Sequence, residues 1–264
     1  MYDFNYASPT SLSGAVRLAA EEDSKFIAGG MTLLAALKQR MARPSTLISL
    51  SEVPDMSGIS KEGNALTIRA MTRHFEVASN ELVRAEIPAI STLAGVIGDQ
   101  QVRHRGTIGG SVANNDPAAD YPAGLLGLGA TIVTDRRTVA ADDFFCGLFE
   151  TALETDELVT AVSFPIPDTA AYQKFPSPAS GYALIGVMVS KLGADVRVAV
   201  TGGGHGVFRE KAVESALARS WSPDVLAGIE IGHDMLTDDH GAPTAYKASL
   251  IRTLAARAVK STLR

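Results

Sequence analysis

Two short glycine-rich segments carry the residues that are best suited to binding an anionic ligand. The first spans residues 28–32 (AGGMT) and the second spans residues 106–111 (GTIGGS). Glycines allow a sharp turn and a close approach of another group, and both segments add hydroxyl groups. A diphosphate held between the two turns would receive hydrogen bonds from backbone N–H groups and hydroxyls of both. Either turn alone is more typical of a tight structural turn.

Other phosphate-binding patterns are absent. No lysine follows either turn in the GxxxxGK[ST] spacing of a Walker loop, and the GxGxxG pattern of a Rossmann site is missing. The triplet Gly202-Gly203-Gly204 contains no hydroxyl residue and precedes no clear helix, so we interpret it as a structural turn.

Two aspartates follow the second turn. Asp116 lies in an Asn-Asp-Pro sequence, which is a strong turn signal, so a structural role is predicted for it. Asp120 stands after this turn and before an apolar segment. A carboxylate there could accept a hydrogen bond from a ribose hydroxyl, as acidic residues do in other dinucleotide sites, and turn formation is the alternative.

The hydrophobic pattern places the first turn between a strand and a helix. Residues 26–28 form a short apolar run before Gly29-Gly30, and the leucines of residues 33–37 have helical spacing. A helix N-terminus that follows a glycine turn presents free N–H groups and the positive end of the helix dipole, which favours an anion. Residues 46–50 predict the next strand and complete a βαβ unit.

The remaining elements are predicted from alternation, helical periodicity and turn residues. Strands are expected at residues 65–70, 130–134, 157–165, 182–189 and 196–200. Helices are expected from His74, with Thr72 as its cap, and at residues 90–100, 142–145, 210–218 and 244–260. Residues 166–181 are rich in proline, serine and alanine and predict a linker between a larger N-terminal domain and a smaller C-terminal one.

Composition argues against several classes of function. The 264 residues are 46% hydrophobic, which is enough for a sizeable core, and the formal net charge is -5 without a basic run. Binding to nucleic acid or to an anionic membrane is therefore not expected. The N-terminus lacks the features of a signal peptide, and no apolar run reaches the length of a membrane span.

A redox function would need an organic cofactor or a partner chain. Cys146 is the only cysteine, which rules out an internal disulfide and an iron–sulfur cluster held by this chain alone. The histidines at positions 74, 104, 205, 233 and 240 show no HExxH or HxH spacing, so no metal site is expected.

Six motifs in order make the chain resemble a known family. They lie at residues 4–15, 28–40 (AGGMTLLAALKQR), 42–60, 70–74 (AMTRH), 101–130 (QVRHRGTIGGSVANNDPAADYPAGLLGLGA) and 143–159. Residues 180–187 (SGYALIGV) and the closing helix resemble the C-terminal domain of the same family. The chain thus resembles the FAD-binding medium subunit of molybdenum-containing hydroxylases, which occurs in carbon monoxide dehydrogenase and as a domain of xanthine dehydrogenases.

The resemblance implies an α+β fold of the vanillyl-alcohol-oxidase/PCMH type, in which two subdomains enclose FAD. A small α+β C-terminal domain would follow them. The FAD-binding domain would span residues 1–175, with subdomains at about 1–55 and 56–175, and the C-terminal domain would span residues 176–264.

The resemblance also assigns FAD-binding residues by position. The first pyrophosphate loop would comprise Ala28, Gly29, Gly30, Met31, Thr32 and Leu33, and the second would comprise Thr107, Ile108, Gly109, Gly110 and Ser111. Further contacts would come from Asp120 at the adenosine half, Ile108 and Leu158 near the isoalloxazine, Lys174 at the flavin edge and Tyr182 over one flavin face. The alternatives are a half-buried strand tyrosine for Tyr182 and a solvated linker lysine for Lys174. No catalytic acid or base is assigned.

The chain departs from the family pattern within the turns. Members often have Gln or His with Ser where this chain has Met31-Thr32, and Asn where it has His104 and Ser111. Thr32 and Ser111 keep a hydroxyl for a phosphate, whereas Met31 removes a polar contact. We expect His104, between two arginines, to lie on the surface.

The resemblance implies an electron-transfer subunit of an oxidoreductase. A molybdopterin-containing large subunit would pass electrons through the iron–sulfur clusters of a small subunit to FAD on this chain, and then to an external acceptor. The complex would be a cytoplasmic dimer of heterotrimers, with the molybdenum cofactor and the clusters on the partners. Two alternatives are a self-contained flavin-dependent reductase on the same fold and a flavin-free assembly module.

Overall fold

The computed structural model describes residues 1–239 and 242–263 and contains both helices and sheets. Two residues named above lie outside the described residues: His240, one of the five histidines considered as metal ligands, and Arg264, the last residue of the predicted C-terminal domain. Across those described ranges, no helix combines the length and the apolar character needed to cross a bilayer.

The N-terminal residues form a three-stranded parallel sheet with two short helices. In chain order these elements are β1 (Asn5–Ala7), α1 (Leu12–Ala19), β2 (Ser24–Ile27), α2 (Leu33–Lys38) and β3 (Thr46–Ser49). β3 lies between β1 and β2, and all three strands are parallel. The predicted succession of strand, glycine turn, helix and strand is confirmed, so the first glycine turn leaves the carboxyl end of β2 and enters α2.

The middle of the chain is a run of helices between the strands of a second sheet. Its elements are β4 (Ile59–Glu62), β5 (Ala65–Arg69), α3 (His74–Ser79), α4 (Glu81–Glu86), α5 (Pro88–Gly95), α6 (Gln100–Arg105), α7 (Ile108–Asn114), α8 (Asp120–Leu128), β6 (Thr131–Thr134), β7 (Thr138–Ala140), α9 (Ala141–Phe144), β8 (Phe145–Gly147), β9 (Glu150–Thr151) and β10 (Val159–Pro165). The antiparallel sheet has the order β4-β5-β10-β6-β7, and β8 and β9 form a separate hairpin. The strands predicted around residues 65–70, 130–134 and 157–165 are confirmed.

The C-terminal residues form a four-stranded antiparallel sheet covered by helices. They comprise β11 (Thr169–Pro176), β12 (Ala183–Leu192), β13 (Asp195–Thr201), β14 (Phe208–Arg209), α10 (Lys211–Arg219), a 3-10 helix (Pro223–Leu226) and α11 (Thr244–Ser261). The sheet has the order β11-β12-β13-β14. The paired strands and both predicted helices of this region are confirmed.

Buried apolar side chains form two clusters, and the C-terminal sheet contributes to both. Tyr121 of α8 is fully buried in the larger cluster, which also includes Phe144 and Phe164. A β-carbon on Gly127 would lie 2.6 Å from Cγ of Met188 on β12, so glycine is what lets α8 pack this closely on the C-terminal sheet.

Three predicted local features are wrong. The helix expected over residues 90–100 is two helices, because Gly98 adopts a φ of +50° and Asp99 caps the start of α6 with its carboxylate. Thr72 does not cap α3; its hydroxyl binds the backbone of Gly58, and Arg73 occupies the cap position. The linker expected over residues 166–181 contains β11, which pairs with β12 along its whole length.

Candidate functional site

The fold places the two glycine turns against each other. A β-carbon on Gly29 would lie 2.7 Å from the carbonyl carbon of Arg105 and 2.9 Å from Cα of Gly106, which is too close for any side chain. One on Gly110 would lie 3.7 Å from Cβ of Ala28. Residues far apart in sequence therefore meet backbone to backbone, and the glycines make this approach possible.

The first turn presents a row of backbone N–H groups without acceptors. Within the described ranges, the N–H groups of residues 29–33 donate to no protein atom. Gly30 adopts a φ of +74°, and its carbonyl accepts the N–H of Leu34, so the turn leads directly into α2. Thr32 occupies the N-cap of α2, but its hydroxyl makes no capping bond. This turn therefore offers five amides and one hydroxyl to an anion.

The second turn differs, because its amides already have partners. The N–H of Ile108 donates to Thr72 O at 3.1 Å, and that of Gly109 donates to Ala70 O at 2.8 Å. The N–H of Gly110 donates to the Thr107 hydroxyl at 3.2 Å, and that of Ser111 donates to the Thr107 carbonyl at 3.1 Å. The prediction that both turns present free amides is therefore wrong for residues 108–111.

The glycines of the second turn serve packing as well as turning. A β-carbon on Gly109 would lie 2.5 Å from Cβ of Ala70, at the end of β5. The side chain of Ile108 is fully buried in the larger core cluster. Gly109 and Ile108 thereby fix the second turn to β5 and the core, and Gly110 contacts Ala28 of the first turn.

Asp120 lies at the start of α8 in a buried polar cluster. Its Oδ1 accepts the Tyr172 hydroxyl at 2.6 Å, and its Oδ2 accepts the Lys174 ammonium at 2.9 Å. Lys174 also donates to Val96 O at 3.1 Å. The side chains of Lys174 and Asp120 are only 5% and 4% exposed. The alternative of a solvated linker lysine is therefore wrong for Lys174.

Burial and hydrogen bonds act on the Asp120 carboxyl in opposite directions. Burial raises the pKa of Asp120, and the Lys174 charge and the Tyr172 hydroxyl partly offset this by favouring the carboxylate. Sequence reasoning missed Tyr172, because its segment was interpreted as a linker. The two-residue alternation of a strand could have identified it. Tyr172 and Lys174 are two residues apart, so their side chains lie on the same face of a strand.

Tyr182 and Leu158 have different surroundings. Tyr182 is 45% exposed, directly before β12. Partial burial raises the pKa of its phenol, and the carboxylates of Asp116 and Asp120 add to this. The N–H of the next residue, Ala183, donates to Ala118 O at 3.2 Å, so Tyr182 lies near the start of α8. Leu158 is 6% exposed and belongs to the larger core cluster.

A second buried polar pair lies behind the second turn. The rings of His74 and Tyr121 are 5.4 Å apart, and neither His74 Nδ1 nor the Tyr121 hydroxyl has a hydrogen-bond partner in the described structure. Burial and the nearby Arg103 lower the pKa of His74 to about 4, so its imidazole is neutral at pH 7. The backbone N–H of His74 donates to Gly106 O, and this bond attaches α3 to the turn.

Comparison with known proteins identifies the family. Residues 2–167 match the family described as the FAD binding domain in molybdopterin dehydrogenase. The chain belongs to this family. Its cofactor is accordingly FAD, and its relatives are oxidoreductase subunits, so it is an oxidoreductase subunit itself.

Several members of this FAD-binding family are similar over nearly the whole chain. The nicotine 6-hydroxylase medium subunit of Paenarthrobacter nicotinovorans is 34% identical over 271 residues, which cover 96% of this chain and 95% of the relative. The carbon monoxide dehydrogenase medium chain of Hydrogenophaga pseudoflava is 32% identical over 281 residues and covers 98% and 96%. A solved structure of carbon monoxide dehydrogenase from the same organism superposes with a TM-score of 0.86 at 32% identity, covering 99% of this chain and 98% of that one.

The residues at the two turns fit the diphosphate of FAD. Among the residues that the structure describes, five amides of the first turn have no internal acceptor, and the hydroxyls of Thr32 and Ser111 make no internal hydrogen bonds. The opposing backbones are as close as glycine permits, so the donors of both turns lie on neighbouring segments. Dianionic groups favour such concentrations of N–H donors. In the described part of the chain, no group of three His, Cys, Asp or Glu side chains could hold a metal ion.

Proposed function

We propose that this chain is the FAD-binding electron-transfer subunit of a multi-subunit molybdenum hydroxylase or dehydrogenase. The observation that carries the proposal is the meeting of the two glycine turns, one of which has five free amides. The medium subunits from P. nicotinovorans and H. pseudoflava, which are similar along their full lengths, support the same function.

The chain's residues bind and orient the cofactor. When bound, FAD supplies the redox chemistry, which no side chain here can supply. The amides of residues 29–33 donate to the diphosphate, and the hydroxyls of Thr32 and Ser111 add two further donors. Asp120 binds the adenosine half, and Tyr182 covers one face of the flavin.

The remaining contacts are assigned by the resemblance. The resemblance assigns Lys174 to the flavin edge, but its ammonium lies 2.9 Å from Asp120 Oδ2, so its third N–H would contact the same half of FAD as Asp120 does. Leu158 contributes apolar packing near the isoalloxazine, and Ile108, whose side chain is fully buried, holds the second turn against the core.

The proposed fold is the two-subdomain FAD-binding fold of the vanillyl-alcohol-oxidase/PCMH type. Residues 1–55 and 56–168 form the two subdomains, and the C-terminal domain begins at residue 169 rather than 176, because β11 pairs with β12 of the C-terminal sheet. The parallel sheet of β1, β2 and β3 and the antiparallel sheet of β4, β5, β6, β7 and β10 support this division, since the first turn follows β2 of one sheet and the second lies against the end of β5 of the other.

The partners are an iron–sulfur small subunit and a molybdopterin large subunit, in a cytoplasmic dimer of heterotrimers. Cys146 is the only cysteine of the chain, so iron–sulfur clusters must be held by another subunit. Electrons enter FAD from those clusters and leave to an external acceptor.

Flavin stoichiometry and partner capture test the proposal together. The full chain, purified alone and with its partners, is expected to carry one FAD per chain and to co-purify with an iron–sulfur protein and a molybdopterin protein. The flavin is expected to be reduced by the substrate of the complex only when those partners are present. A chain that takes up no FAD would contradict the proposal, and NADPH turnover by the isolated chain would favour a self-contained reductase.

A further inference from the structure

A strand of the C-terminal sheet reaches across to the first residue of α8. Tyr172 and Lys174 lie two residues apart on β11, and both side chains end on the carboxylate of Asp120, one on each oxygen. Tyr172 is 3% exposed, so this hydroxyl–carboxylate bond is shielded from water. A short hydrogen bond to an ionised group in such surroundings is among the stronger ones in proteins.

Lys174 and Tyr172 have different effects on the Asp120 carboxylate. The Lys174 ammonium compensates the charge and is also tied to Val96 O, so it links α8, β11 and the end of α5. The Tyr172 hydroxyl has one proton to donate and gives it to Asp120 Oδ1. It therefore restricts the rotation of the carboxylate, and each oxygen keeps a lone pair for a further donor.

We propose that Tyr172 is a positioning residue for FAD, which holds the Asp120 carboxylate ionised and in one rotamer so that it can accept a hydroxyl of the adenosine half. The proposal rests on the role of Asp120 in the proposed function. The match to the FAD-binding family ends at residue 167, so the C-terminal sheet completes the site that the family's FAD-binding domain begins.

The ionisable groups around Asp120 influence the pH at which its carboxyl group titrates. Lys174 and Tyr172 face it from β11, Tyr121 follows it on α8, and the carboxylate also acts on the phenol of Tyr182. Burial raises the pKa of Asp120, and both β11 partners lower it. Loss of the Tyr172 hydroxyl therefore raises the pKa of Asp120 further, and the carboxylate is lost at a higher pH.

The experiment is a pH series of FAD affinity with the full-length chain. FAD is removed from wild type and from Tyr172→Phe, and its dissociation constant is measured by flavin fluorescence from pH 4 to pH 9. Affinity is expected to fall as the pH decreases, and the midpoint is expected to lie about one to two pH units higher in the variant. At pH 9 the carboxylate is ionised in both proteins, so the difference in affinity should be smallest there, whereas a merely structural defect would give the same difference at every pH.

Two further variants locate the effect. Tyr121→Phe is the matched control, since it removes a neighbouring buried hydroxyl that has no partner, and its profile should coincide with that of wild type. Asp120→Asn should weaken FAD binding and flatten the pH step. If wild type binds FAD and its midpoint coincides with that of Tyr172→Phe, the proposal for Tyr172 is overturned. The proposed function would still stand in that case. Wild type that binds no FAD would overturn both.

A measurement on the wild type decides the matter if Tyr172→Phe does not fold. In protein labelled with carbon-13 at tyrosine Cζ and aspartate Cγ, the signals of Tyr172 and Asp120 should titrate together, at the pH at which FAD is released. A Tyr172 signal that stays constant through this transition would overturn the proposal.

Discussion

Replacing Gly29 by alanine should force the two glycine turns apart. Gly29 is not among the residues with positive φ, so alanine can adopt the same backbone conformation without strain. The added methyl group would instead meet the carbonyl group of Arg105 and Cα of Gly106, at 2.7 Å from the carbonyl carbon and 2.9 Å from Cα. The effect of this variant is thus a direct measure of the contact between the turns.

The size of the effect follows from the missing space. Ordinary contact of a β-carbon begins at 3.4 Å, and the carbonyl oxygen of Arg105 would lie closer than either carbon atom, so the backbones must separate by more than an ångström there. Both sides are backbone and cannot rotate away, so the free energy of unfolding should fall by about 1–3 kcal/mol, as in overpacked cores. Widening the turn also misdirects amides 29–33, and a loss of about 1.4 kcal/mol of binding free energy weakens FAD affinity about tenfold.

Thermal unfolding and FAD titration of the full chain provide the assay. Gly232→Ala is the matched control, because Gly232 also has no positive φ and a β-carbon there would meet nothing within 4 Å. The control should unfold and bind FAD like wild type. If Gly29→Ala matched the control in both stability and affinity, the close approach of the turns would be refuted.

Two further predictions concern the buried pair behind the second turn. His74 has a pKa of about 4 when folded and 6.5 as its ordinary value, so the unfolded chain binds the additional proton. Above pH 6.5 the imidazole is neutral in both the folded and the unfolded chain. As the pH falls towards 4, protonation of the unfolded chain lowers the free energy of unfolding by up to about 3 kcal/mol. Urea unfolding at pH 7.5 and 4.5 should show this loss in wild type and a smaller one in His74→Gln; equal losses would contradict it. Tyr121→Phe removes a buried hydroxyl without a partner, so the free energy of unfolding should stay equal or rise by up to about 1 kcal/mol, and a large decrease would show a hidden partner.

The local elements that frame the site could be predicted from the sequence, because each depends on a short pattern. The apolar run before Gly29-Gly30 and the leucine spacing after it specify β2, the turn and α2 without any distant contact. The break between α5 and α6 was missed, because Gly98 and Asp99 lie inside a pattern whose apolar residues continue on both sides.

Contacts between distant segments could not be predicted in the same way. The bonds that join Asp120 to Tyr172 and Lys174 depend on how β11 is placed against α8, and the composition of the segment around β11 is typical of a linker. The difference between the two turns also comes from tertiary structure. Both have similar residues, but only the second lies against the end of β5, where Ala70 and Thr72 provide carbonyl acceptors for its amides.

Hydrogen–deuterium exchange with and without FAD tests the central claim most directly. The amides of residues 29–33 have no internal acceptor, so they should exchange rapidly without FAD and become protected when FAD binds. The amides of Ile108 and Gly109 should be slow in both states, because they already donate to Thr72 and Ala70. Protection of the first turn with little change at those two amides is the predicted result. FAD binding that left residues 29–33 unprotected would contradict the account.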